Sequence, residues 1–241
     1  PIDFGKVFVG SDSPYSEIRH INLANINFWS GSSVQNPAFT VDLTEYDKLK
    51  TLNIANSCVT SMKLPSKSSL TELSITNSNI TQINLENQPF LDSIDFTGCN
   101  KLGEVIINNC SKIETLELKG LADLKSVVIT GCPNLKSVIC TGNKNLINFR
   151  VEGDCSKLQT IDLSNNTNSG LSIYLVGALN INSLNVSGTT TSQTIEMPLI
   201  TKMSTLNLSN SSIMAIQFGN NEVPTYTGGE YILDLSNIKI T

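Results

Sequence analysis

Apolar residues return along this chain in a fixed rhythm. A leading apolar residue is followed by a second three positions on and a third two positions later. With the leading residue as offset zero, one series, A, begins at Ile18, Leu49, Leu70, Leu91, Ile113, Leu135, Leu158, Ile181 and Met203. Its offsets three and five hold pairs such as Leu52/Ile54, Leu116/Leu118, Val138/Cys140 and Leu184/Val186, and Leu233/Leu235 continues the series. Polar residues stand between and beside each pair. Such alternation predicts a short strand with one buried face. A second series, B, lies between, starting at Val59, Ile80, Leu102, Leu124, Leu146, Leu171 and Ile213. Its pairs run from Ile83/Leu85 through Phe149/Val151 to Tyr174/Val176 and Ile216/Phe218. The segment around Ile195 is irregular.

Offset seven sharpens the reading. In series A it is Asn25, Asn56, Asn77, Gly98, Gly120, Gly142, Asn165, Gly188, Asn210 and then Asn237. In series B it is Asn87, Asn109, Gly131, Gly153 and Asn220, with Ser66 beside Pro65 as the departure. Asn and Gly tolerate positive φ with least strain. A left-handed turn is therefore expected after each strand. One A unit plus one B unit makes a coil of roughly 21–23 residues, with its two strands on opposite sides. Neither unit can bury its apolar row alone, so coils must stack. The expected fold is mainly β: a right-handed β-solenoid of about ten coils with little helix. At the strand spacing of ~4.8 Å it would be a rod roughly 45–50 Å long. Residues 1–17 read as a lead-in or cap, and residues 18–241 as the solenoid.

The stretches LQTIDLSNN (158–166) and LKSVICTGN (135–143) fit the pattern LxxLxLxxN. With the paired B units, such as 124–132, they resemble the short repeats of leucine-rich-repeat proteins of the Bacteroides-type surface class. The resemblance covers residue 18 to the C-terminus and implies an exported bacterial binding or adhesion module. In that frame offset eight is a polar ladder position. Ser57, Ser78, Cys99, Cys110, Cys132, Asn143, Asn166, Thr189 and Ser211 occupy it, whereas Leu121 breaks it.

Composition narrows the function. Hydrophobic residues are 39%, charged residues only 15%, and the net charge is −5. Nucleic-acid binding needs clustered Lys and Arg, which are absent. No apolar run is long enough to span a membrane as a helix. The start PIDFGKVFVG lacks Met and a leader, so any signal peptide is expected to be removed or to lie outside this stretch. None of the six cysteines forms a CxxC motif. Stacking of Cys110, Cys132 and Cys155 makes a vertical disulfide conceivable, but buried free thiols are the expected state. With one histidine, His20, and no paired-ligand spacing, neither a metal site nor a cofactor is expected.

Candidate ligand contacts fall in two places. The first is the outward offset-four row of series A, with Asp95, Glu117, Ile139 and Asp162. The apolar Ile139 stands between two acids and tests the inside–outside assignment. Asp95 and Glu117 lie one coil apart, near the ~5 Å of a retaining glycosidase pair. No enclosing pocket is predicted around them, so no catalytic residues are assigned. The second place is aromatic: Phe28 and Trp29 in NFWSGSSVQNPAF, and Tyr226 in NNEVPTYTGGEY. Exposed, these aromatics would anchor an interface; otherwise Phe28 and Trp29 would cap the core end. The expectation is a monomeric, non-enzymatic, secreted or cell-surface module for a protein or glycan. A ligand-free spacer is the alternative, and a β-helix carbohydrate-active enzyme the remote one.

Overall fold

The computed structural model describes residues 17–26, 39–66, 68–190, 194–198 and 203–219, and the backbone of 239–240. Within them the chain is a parallel β-solenoid of stacked coils, about eight turns, with almost no helix. Series A folds as β1 (His20–Asn22), β3 (Thr51–Asn53), β5 (Glu72–Ser74), β8 (Thr115–Glu117), β10 (Ser137–Ile139), β12 (Thr160–Asp162), β14 (Ser183–Asn185) and β16 (Thr205–Asn207). Series B folds as β2 (Thr40–Asp42), β4 (Ser61–Lys63), β6 (Gln82–Glu86), β7 (Glu104–Asn108), β9 (Ser126–Thr130), β11 (Asn148–Glu152), β13 (Ser172–Tyr174), β15 (Thr194–Met197) and β17 (Ala215–Phe218).

Strands of one series pair only with one another, in parallel and in constant register. Val138 sits between Leu116 and Ile161, and Phe149 between Val127 and Ile173. Each inward row is thus a continuous column of apolar side chains. Leu52, Val105, Leu116, Val127, Val138, Phe149, Ile161 and Leu184 are all buried in one shared core. Among the described residues no helix is long and apolar enough to cross a membrane.

The structure corrects the pattern in two places. Val41 and Leu43 are fully buried in and beside β2, a strand that opens the B side ahead of Val59. The Leu171 unit is shifted by one residue: Ile173 and Leu175 point inward, and Tyr174 and Val176 are the half-buried outward residues. Apolar residues fill both frames there, so alternation alone could not choose; contact with Phe149 and Ile195 does. The Leu233/Leu235 pair lies outside the described residues. The strand that follows β16 in the sheet is β18 (Lys239–Ile240), with Ile240 aligned on Leu206.

The left-handed turn is present throughout. Every described offset-seven residue of series A has φ between 53° and 75°. Asn87, Asn109, Gly131 and Gly153 do the same on the B side, while Ser66 does not. Asn220 lies outside the described residues. At Gly98 a second reason demands glycine: a Cβ would fall 1.9 Å from Asn77 Oδ1. Gly142 also has positive φ (70°) but has open space around its missing Cβ.

After several turns the offset-eight side chain caps the coil before it, whereas Ser57 Oγ and Ser211 Oγ donate within their own turns, to Ile54 O and Leu208 O. Asn143 Nδ2 donates to Leu118 O at 2.9 Å, Asn166 Nδ2 to Cys140 O at 2.8 Å, and Thr189 Oγ1 to Leu163 O at 2.8 Å. Cys99 Sγ donates to Ile75 O at 3.1 Å and Cys110 Sγ to Leu85 O at 3.3 Å. The acceptor in these five bonds is the offset-five carbonyl of the preceding coil. A buried carbonyl left unpaired is costly, which accounts for a donor at this offset. Asparagine also accepts: Leu121 N donates to Asn143 Oδ1 and Asn143 N to Asn166 Oδ1, at 2.8 and 2.9 Å. All six cysteines are buried and in no disulfide. Burial pushes the Cys132 and Cys140 thiols up to about 12 and raises Cys99 and Cys110. They stay protonated; Cys99, Cys110 and Cys132 donate, while Cys140 Sγ accepts from Asn143 Nδ2 at 3.2 Å.

Two outcomes are expected. Asn166→Leu leaves Asn143 N and Cys140 O without their Asn166 partner and should destabilise the fold by about 2 kcal/mol or more. Gly142→Ala should cost only the left-handed strain, ~1–2 kcal/mol, whereas Gly98→Ala should cost more because it also displaces Asn77. Equilibrium urea unfolding of the variants checks both.

Candidate functional site

Two open sheet faces are available to a ligand. The outward A face carries the offset-four column. Ile139 is in register between Glu117 and Asp162, and it points outward while Val138 and Cys140 are buried. The inside–outside assignment therefore holds. Asp95 and Glu117 are exposed, and Asp162 is half-buried. Phe28, Trp29 and Tyr226 lie outside the described residues. His20 is exposed, with Nδ1 2.9 Å from Thr51 Oγ1.

Most of the offset-four side chains have a structural task. Asp95 Oδ1 accepts the Thr97 N–H at 2.8 Å, and Asp162 Oδ1 the Ser164 N–H at 2.9 Å. Asn22, Asn53, Asn185 and Asn207 make the same bond to the residue two positions on. These are Asx turns that lead the chain into the left-handed residue. The Thr97 hydroxyl, and then its backbone N–H, hold the Asp95 carboxyl below its ordinary value. That is the wrong direction for a general acid, which needs a raised pKa. Glu117 instead pairs with Lys119 at 2.7 Å across exposed side chains, a contact worth little in water.

Asp95 and Glu117 nevertheless share a feature the sequence did not show. The A sheet is not continuous: β1, β3 and β5 form one piece, and β8 to β18 another. Asp95 joins the first piece by a single bridge to Ser74. Between the Asp95 turn and the Glu117 turn lies a cleft of about 420 Å³, lined among others by Ser93, Thr97, Thr115 and Lys119.

The outward B face has different chemistry. Its central column runs Ile106, Val128, Arg150, Tyr174 and Glu196 in register. The first four are half-buried. The Arg150 guanidinium lies 4.5 Å from the Tyr174 ring centroid, and Arg150 Nε donates to Glu152 Oε1 at 2.7 Å. Two contacts on a flat sheet hold this arginine in one conformation. Sequence reasoning missed the pair because its frame for Leu171 turned Tyr174 inward. The signal that would have found it is the extra length between Leu158 and Leu171, 13 residues where the other paired A-to-B steps have 10 or 11, which frees the register.

Among the described residues no group of His, Cys, Asp or Glu could hold a metal ion. The two outward faces present polar, aliphatic and aromatic groups. Asp95→Asn should be nearly neutral, because asparagine makes the same turn in four sister coils, while Asp95→Ala should cost ~1 kcal/mol. Because the folded pKa is depressed, the added stability of the charged form is present above about 3.8 and is lost as pH falls through the folded value. Urea melts of the parent protein and both variants at pH 7 and pH 2.5 test this. No protein-family model matches this chain, and no curated protein matches its sequence.

Proposed function

We propose that the chain is a non-enzymatic binding module of the leucine-rich-repeat type, exported to the cell surface or secreted, and that it engages a protein or glycan partner through its B face. One observation carries the reading: the Arg150–Tyr174 pair, set beside Ile106 and Val128 on a seven-stranded sheet. Tyrosine and arginine are the residue types that dominate binding energy when they are pre-ordered next to apolar surface. Sheet pairing in five-residue registers from β6 to β11 keeps the platform rigid. The A face favours a second reading, a spacer without ligand, since its polar residues are small and largely used in turns.

A glycan array and a panel of purified surface proteins, followed by titration calorimetry of any hit, separate the two. On the binding reading Arg150→Ala and Tyr174→Ala each weaken the hit about tenfold or more, at ~1–3 kcal/mol each, with the melting temperature nearly unchanged. Glu117→Ala and Ile139→Ala on the A face leave it unaffected. Binding lost only on the A-face variants would move the site there, and no binding at all would favour the spacer.

A further inference from the structure

The break in the A sheet coincides with two departures in sequence. In the other described A turns the offset-five N–H mostly reaches the next turn: Ile54 N to Ser74 O, Leu118 N to Ile139 O, Cys140 N to Asp162 O, Leu163 N to Asn185 O and Val186 N to Asn207 O. The offset-seven N–H does likewise, from Asn77 N to Thr97 O and from Gly120 N to Thr141 O. Between the turns of Phe96 and Leu118 neither bond is made: Phe96 N does not meet Glu117 O, nor Gly98 N Lys119 O. The capping bond is missing at the same junction. Its donor should come from residue 121, which is leucine, and Phe96 O accepts only from Cys99 N of its own turn. Phe96 is moreover the one aromatic residue in the offset-five column of series A, where the other turns carry Leu, Ile, Val or Cys. A wide side chain and an absent donor thus fall on the same pair of turns.

On the opposite side the same two turns are joined without interruption. β7 and β9 pair over five residues, from Glu104↔Ser126 to Asn108↔Thr130, and Asn109 N continues the ladder to Thr130 O. A stack bonded on one side and open on the other bends toward or away from its open side. We infer that this seam is a hinge. The coils before and after it rock about the unbroken pairing of β7 with β9 in the seven-stranded B sheet and widen or narrow the cleft between Asp95 and Glu117. The inference stands on sheet topology and does not rest on the binding proposal.

Spin labels on exposed offset-two residues test it. Glu72→Cys with Thr160→Cys spans the seam by four strand spacings, about 19 Å. Thr115→Cys with Thr205→Cys spans four spacings of intact A sheet, and Gln82→Cys with Ser172→Cys crosses the same turns on the B side. The native thiols are buried and should not label. The seam pair should give a distance distribution at least twice as broad as either control. Leu121→Thr and Leu121→Cys, which restore a donor of the kind found at Thr189 and Cys99, should narrow it. Amide exchange at Phe96 and Gly98 should be at least tenfold faster than at Leu118 and Gly120. A seam pair as narrow as the controls, a width unchanged in both Leu121 variants, or equal exchange at these amides overturns the hinge.

Discussion

The buried hydrogen bond from an offset-eight side chain to the carbonyl of the previous coil is the contact on which the stack depends. Apolar columns would bury their area in many arrangements, because the hydrophobic effect has no direction. A carbonyl sealed away from water has one acceptable outcome, a donor in the right place. The ladder therefore sets where one coil sits on the next. It also explains why chemically different residues share the offset. Asn, Thr and a protonated Cys are all donors small enough to fit under a turn, as Asn166, Thr189 and Cys99 show. Cys99, Cys110 and Cys132 accordingly serve as hydrogen-bond donors within the core, and none of the six cysteines is cross-linked.

The left-handed turn is the second half of the same device. It brings the chain round so that offset eight lies under the preceding carbonyl. An Asx bond from offset four prepares the turn, as at Asp95 and Asp162. Much of the polarity displayed on the A face is thereby spent on backbone geometry. An acidic row that could pass for a reactive surface is in the main a row of turn-formers.

The B face lacks this constraint over much of its middle length. Its central strands run five residues, long enough for an outward column that no turn requires. That column can hold Ile106, Val128, Arg150 and Tyr174 at little cost to the fold. The two sides thus differ: the seven-stranded B sheet is paired without interruption and carries an ordered outward column. The A sheet gives way at one junction, where Leu121 withholds a donor and Phe96 needs room.

Periodicity determined the strands, their inward residues and the left-handed turns, because each depends on short-range chemistry that repeats. Asn and Gly at offset seven, and Ile139 as an outward apolar residue, were readable one coil at a time. The ladder positions and the misfit of Leu121 were readable as well. Three features were left to the tertiary structure. The first is the register of Ile173 and Tyr174, where both frames of the strand are apolar and only the neighbours Phe149 and Ile195 choose. The second is the Arg150–Tyr174 contact, which follows from that choice. The third is the seam, since a missing bond between turns needs two coils in place before it exists. Sequence alone thus determined what each coil is, because local sterics and burial act within a coil. Only the stacked structure decided how particular coils meet, because hydrogen bonds and side-chain size there act between residues about 22 positions apart.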